Sequence, residues 1–297
     1  MPAGGRRRAP LRVTPLAVVD DPRSLPVAVF DSGVGGLTVL HECLVSLPHE
    51  DFLYLGDTAR FPYGDRSPEE LLGFARELAA ILLERGAKAL VVACNSATAA
   101  ALPALRTELE RRLPVVAVVR PESRLAAAAT KNRKVGLIAT PATVSSGAYA
   151  RALAETAPQA ELHAVASAEL APLIQAGGDV DHRVLSCVEG ACRPLKSAGV
   201  DTVILGCTHY PLVRPVLQRE LGRGVSIVSS GEAIADEVET RLREAGLENR
   251  EGHRGEYGFL ATGDPEEFRR VGTRFLQLPI GKVEHVDVQM PIGRRAA

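Results

Sequence analysis

At 297 residues the chain is longer than one compact core usually requires, which favours two domains or one large α/β unit. Its 46% hydrophobic and 24% charged residues exclude a disordered or fibrous chain, and a net charge of −1 gives no reason to expect nucleic acid or an anionic membrane as partner. No apolar run approaches the ~18 residues of a membrane-spanning helix, and five cysteines without repeated spacing point to a reducing cytoplasm rather than a disulfide framework.

Residues 1–26 are proline-rich and carry Arg6, Arg7 and Arg8, and the apolar stretch Leu16-Ala17-Val18-Val19 is too short for a signal-peptide core. They read as a disordered extension. From Val27 onward, β-branched runs recur as VAVF (27–30), DFLYLGD (51–57), KALVVAC (88–94), VVAVV (115–119), KVGLIAT (134–140), ELHAVA (161–166), DTVILGC (201–207), VSIVSS (225–230) and YGFLA (257–261). Between them apolar residues fall at helical spacing, as in Leu37, Leu40, Leu44 and Leu47, and in Leu71, Phe74, Ala75, Leu78, Ile81 and Leu82. Alternating strands and helices predict an α/β protein with doubly wound parallel sheets. VVACNSATAAALPAL and VILGCTHYPLVRPVL each end an apolar strand in a cysteine and continue into a helix, which predicts two similar domains facing each other.

Four segments could carry chemistry. Phe30-Asp31-Ser32-Gly33-Val34-Gly35-Gly36 is a glycine-rich strand-to-helix turn. Asp57 lies where a ribose-binding acid would fall, but Thr38 occupies the third glycine position of a dinucleotide fingerprint, and no GK[ST] is present. A small-anion or amino-acid site fits this turn better than a nucleotide, with a plain tight turn the alternative. GDTARFPYGD (56–65) is a polar loop at a strand's C-terminal end, either a binding loop or ordinary surface. Cys94 precedes Asn95 and Ser96, and Cys207 precedes Thr208 and His209. A thiol at a helix N-terminus is expected to have its pKa lowered from ~8.5. One such cysteine is usually packing; two at equivalent places in similar domains favour function. Cys43, Cys187 and Cys192 lack metal-ligand spacing, and no histidine pair has it either, so no metal site is expected.

Taken in order, DSGVGGLTVL, GDTARFPYG, VVACNSATA, ATPATVSSGAY and LGCTHYPL resemble the glutamate racemases, from about Val27 to the ending FLATGDPEEFRRVGTRFL and VEHV. The resemblance implies a cofactor-independent isomerase that supplies D-glutamate for peptidoglycan, with its active site in the cleft between two domains. It implies that Cys94 removes the Cα proton of D-glutamate and Cys207 that of L-glutamate, with Asp31 and His209 assisting. Asp31, Ser32, Tyr63, Gly64, Asn95, Ser96, Thr208 and His209 would contact substrate, and Thr140 and Thr143 would bind its carboxylates. Lysine is confined to Lys88, Lys131, Lys134, Lys196 and Lys282, none of them at a plausible Schiff-base position. The expected division is 27–119 plus 228–297 for the first domain and 120–227 for the second, and the oligomeric state, a homodimer included, stays open.

The chain departs from the family pattern at three places. Ser96 stands where threonine is common, a change that keeps the hydroxyl. Gln175, in APLIQAG, replaces a glutamate that would assist the second thiol. VVRPESR (118–124) stands in place of a VxEPG-like turn, so Arg120 and Glu122 are expected to alter the domain junction. A racemase for aspartate or another amino acid, and a non-catalytic protein that keeps the cleft for ligand binding, are the rival readings.

Overall fold

The structure, a computed structural model, describes residues 21–177, 180–229 and 231–290. The first 20 residues of the expected disordered extension lie outside the described residues. Its last six do not fit that expectation. Pro22–Ser24 form a 3-10 turn capped by the Asp21 carboxylate, and the Arg23 carbonyl accepts from the buried Lys88 ammonium.

Among the described residues, ten strands form two parallel sheets. The first contains β1 (Val27–Asp31), β2 (Phe52–Gly56), β3 (Ala89–Val92), β4 (Val115–Ala117), β9 (Tyr257–Ala261) and β10 (Val283–His285), in the order β10-β9-β2-β1-β3-β4. The second contains β5 (Lys134–Ala139), β6 (Glu161–Ala166), β7 (Thr202–Gly206) and β8 (Ser226–Val228), in the order β6-β5-β7-β8. All pairings are parallel, so backbone groups are satisfied between strands while helices cover both faces. The central β1 and β7 are buried along their whole length, whereas the edge strand β6 is exposed or only half-buried throughout. That contrast explains why the inner strands read as continuous apolar runs.

Helix α1 (Leu37–Ser46) buries Leu37, Val39, Leu40 and Cys43. Helix α2 (Pro68–Glu84) starts at a reciprocal capping box between Ser67 and Glu70, with proline in its first turn. It packs Leu71, Phe74, Leu78 and Leu82 into the core beside α3 (Asn95–Leu109).

Three features differ from the sequence expectation. The run at 115–119 ends as a strand at Ala117, and α4 (Val119–Ala129) begins where a turn was expected. Proline is tolerated in a helix's first turn because the missing N–H has no intrahelical partner there anyway, so Pro121 does not stop α4. Val228 pairs with Ile204 in the second sheet, one residue beyond the expected domain boundary; the helix Gly231–Ala245 then packs on α1 and β4. Finally, β10 extends the first sheet beyond the strands foreseen.

Each sheet has a strand whose neighbours leave in opposite directions: β1 lies between β2 and β3, and β5 between β6 and β7. Ligands of open α/β sheets sit outside the carboxyl ends of strands at such switch points. Asp31 and Cys94 end or follow β1 and β3, and Thr140 and Cys207 follow β5 and β7. The topology alone therefore delivers four of the candidate residues to two crevices.

Candidate active site

The two crevices meet in one narrow cleft. Ser32, Tyr63, Gly64, Cys94, Asn95 and Ser96 line it from the first domain, and Thr140, Cys207, Thr208 and His209 from the second. Of the candidates, Asp31 and Thr143 do not line it.

On the first side, the Asp31 carboxylate is fully buried and turns back into its own loop, accepting from Gly33 N at 3.2 Å and Gly36 N at 3.0 Å. Thr208 Oγ1 donates to it across the domains at 3.4 Å. Burial raises its pKa despite these bonds. Cys94 is the N-cap of α3, and its Sγ accepts from Ala97 N at 3.5 Å. Its thiol is nonetheless pushed up to about 12, first by burial and then by the nearby Asp31 charge. The expected lowering by the helix terminus is thus overturned. The amide contacts favour the thiolate, but desolvation outweighs them.

Tyr63 lines the cleft while its hydroxyl donates to the Asp57 carboxylate, which also takes Arg60 Nε at 2.7 Å and Thr262 Oγ1 at 2.7 Å. This buried network fixes the GDTARFPYG loop. Gly64 is held from the other domain, its carbonyl accepting from Ala142 N at 2.8 Å. Ser96 Oγ lies 2.8 Å from Thr140 Oγ1 and 3.2 Å from Thr143 Oγ1, and the two threonine hydroxyls are 3.0 Å apart. Three hydroxyls from α3 and from α5 (Pro141–Ser145) with its N-cap Thr140 thereby bridge the domains, Thr143 from behind the cleft wall.

On the second side, Cys207 leads first into a 3-10 turn, Tyr210–Val213, and the α-helix expected after it starts only at Arg214. Its Sγ is 3.9 Å from His209 Nδ1. The imidazole packs between Phe61 and Phe275, with centroids 5.4 and 5.2 Å away. Burial lowers its pKa to about 3, so it is neutral. Gln175 Oε1 is 2.9 Å from Nε2. An amide oxygen there places the ring proton on Nε2 and leaves the Nδ1 lone pair toward the thiol. Gln175 therefore does reach the second thiol's assistant, as a neutral acceptor. Burial raises the Cys207 thiol pKa strongly, and the nearby carboxylates of Asp31 and Glu122 add to it.

The DSGVGG turn meets this side closely. A Cβ on Gly35 would stand 2.4 Å from both Thr208 Oγ1 and His209 Nδ1, and one on Gly33 would stand 2.7 Å from Gln175 Oε1. These glycines serve close approach between domains. Phe61 and Asp65, in the GDTARFPYGD loop but not named there as site residues, also line the cleft, as do Ala168, Ala171 and Pro172. The last three are small apolar residues that shape the wall and leave no chemical signature. No lysine lines the cleft, and among the described residues no group of three or more His, Cys, Asp or Glu is placed to hold a metal ion. No described helix is long and apolar enough to cross a membrane.

The arrangement offers two thiols, one per domain, in a cleft walled by hydroxyls, amides and apolar groups, with Asp65 the carboxylate among its lining residues. Residues 39–238 match the family model described as Asp/Glu/Hydantoin racemase. A glutamate racemase of Listeria monocytogenes is 42% identical over 88% of this chain and 97% of its own, and one of Beutenbergia cavernae is 46% identical over 84% and 89%. The crystal structure of glutamate racemase isoform RacE1 from Bacillus anthracis superposes with a TM-score of 0.85 at 39% identity, covering 90% of this chain and 98% of that one. Glutamate racemase from Thermus thermophilus, in complex with beta-chloro-D-alanine, gives 0.78 at 44% identity, with 90% and 98% covered. With its two parallel-sheet domains and its cysteine-lined cleft, the chain belongs to the Asp/Glu/Hydantoin racemase family and is an isomerase of its glutamate racemase branch.

Proposed function

We propose that the cleft interconverts L- and D-glutamate by a two-thiol mechanism, in the cytoplasm, as a supply of D-glutamate for peptidoglycan. The observation that carries this reading is the pair of cysteines that reach one cleft from the ends of β3 and β7. Racemisation needs such a pair, because a single base tends to return the proton to the face it left.

In this reading, Cys207 gives its proton to His209 Nδ1 as L-glutamate binds, and the thiolate takes the Cα proton. Cys94, still a thiol, protonates the opposite face, so one C–H bond breaks, another forms, and no redox change occurs. In the reverse direction Cys94 is the base, with the Asp31 carboxylate coupled to it. Burial keeps both resting thiols protonated, so the deprotonated form has to be created in the closed complex. The substrate ammonium supplies the positive charge that favours a thiolate there. Hydroxyls of Ser32, Ser96, Thr140 and Thr208, with backbone N–H groups around them, hold the carboxylates and spread the carbanion's charge.

The test is incubation with L-glutamate, L-aspartate and L-alanine in D₂O, following optical rotation and Cα–H loss together. Inversion of glutamate alone, with solvent deuterium in the D-product, is expected. Cys94→Ser and Cys207→Ser should each lose about 10³-fold or more. Full activity in either variant sinks the two-thiol mechanism, turnover of aspartate instead moves the substrate, and glutamate binding without inversion or exchange leaves a ligand-binding protein.

A further inference from the structure

Behind the cleft wall, three side chains from three helices form a closed triangle. Asn95 begins α3, Glu122 lies in the first turn of α4, and Tyr149 belongs to α6 (Ala148–Thr156). Asn95 Nδ2 donates to Tyr149 Oη at 2.6 Å and to Glu122 Oε2 at 3.2 Å, and the Tyr149 hydroxyl donates to Glu122 Oε2. Glu122 is fully buried, and Asn95 and Tyr149 nearly so. Asn95 Oδ1 has no hydrogen-bond partner among the described residues, although its residue lines the cleft.

A carboxylate only accepts, and the single phenolic proton is already committed to it. The amide must then present its nitrogen to this pair, since the reverse orientation would set Oδ1 against two acceptor oxygens. A buried acceptor left without a partner is costly, so Oδ1 calls for a donor from a ligand. The donor group of glutamate is its ammonium. We propose that Glu122 and Tyr149 are positioning residues that lock the Asn95 amide, so that Oδ1 receives the substrate ammonium. This rests on the cleft being the glutamate site, and it gives the altered 118–124 segment a role: Arg120 faces outward, paired with Glu155 at 2.6 Å, while Glu122 turns inward.

The experiment measures binding of glutamate and of glutarate, which keeps both carboxylates and lacks the amine, by calorimetry. In Glu122→Leu the affinity for glutamate should fall about 10–100-fold, the range of a hydrogen bond to a charged group, with glutarate unchanged. Glu122→Gln should restore most of it, because one amide oxygen can accept both bonds. Should Glu122→Leu fail to fold, Tyr149→Phe gives the same split at smaller size. Equal weakening of both ligands, or none, overturns the lock. Wild-type protein that binds neither ligand overturns the glutamate assignment instead.

Discussion

The two thiols hold equivalent places in their sheets and both feel the Asp31 charge, yet their immediate partners differ. Cys94 caps a fifteen-residue α-helix and has a carboxylate, Asp31, as its charged neighbour. Cys207 opens a 3-10 turn and faces a neutral imidazole held by a neutral amide. The first side can change its charge by one proton on a carboxylate whose pKa burial has raised. The second relays a proton through a ring that burial keeps uncharged. Pseudo-symmetry of the backbone has not produced symmetry of the chemistry, and each half can be disturbed separately.

With both thiols left in place, the largest disturbance should come from His209→Asn, which removes the acceptor for the Cys207 proton and should slow turnover by about 10²–10³-fold. The two enantiomers are equal in free energy, so kcat/KM must fall equally in both directions. The affected side is revealed by isotope effects instead. The effect with Cα-deuterated L-glutamate should grow while that with D-glutamate does not, and equal growth would erase the distinction drawn between the halves.

Gln175→Glu sharpens the comparison by giving the second side a carboxylate of its own. A negative charge at Nε2 favours imidazolium, so His209 should titrate well above its present value of about 3, as imidazole NMR would report. The stability consequence has a definite sign. The folded state now excludes a proton that the unfolded chain takes up below ~6.5, so stability falls as pH drops from there toward 3. The variant should lose less over that window, and its rate near neutral pH should change by about tenfold at most. An unmoved titration would mean that Gln175 does not control the ring.

The smallest effect is the order of alkylation by iodoacetamide. With its pKa at about 12, Cys94 carries about 10³-fold less thiolate at pH 8 than a thiol of pKa 9, and Cys207 is raised further. Reactivity should rise about tenfold per pH unit, with Cys94 ahead of Cys207. The opposite order would place the stronger desolvation on the first side.

Much of this was legible in the sequence because the motifs are local. Buried strands such as β1 and β7 declare themselves as β-branched runs, and Cys94 and Cys207 stand directly after such runs. What stayed hidden was of two kinds. Short elements such as β10, where Val283 alternates with Glu284 and His285, offer too little pattern. Pro121 reads as a turn although a helix's first turn accepts it. Relations across the fold were the other kind. Nothing in the spacing brings Glu122 to Tyr149, and the direction of the thiol shifts depends on how deeply each sulfur is buried, a property of the finished packing.

The seam at Gly35 has a consequence for how the halves fit. Thr208 Oγ1 and His209 Nδ1 lie 2.4 Å from where that residue's β-carbon would be, too close for any carbon, so the two domains abut there across a hydrogen atom. One added methyl group would act as a wedge, driving apart the jaws that carry the two sulfur atoms. The gauge of this cleft, and with it the reach of each thiol toward opposite faces of one carbon, is set by the smallest substituent the genetic code offers.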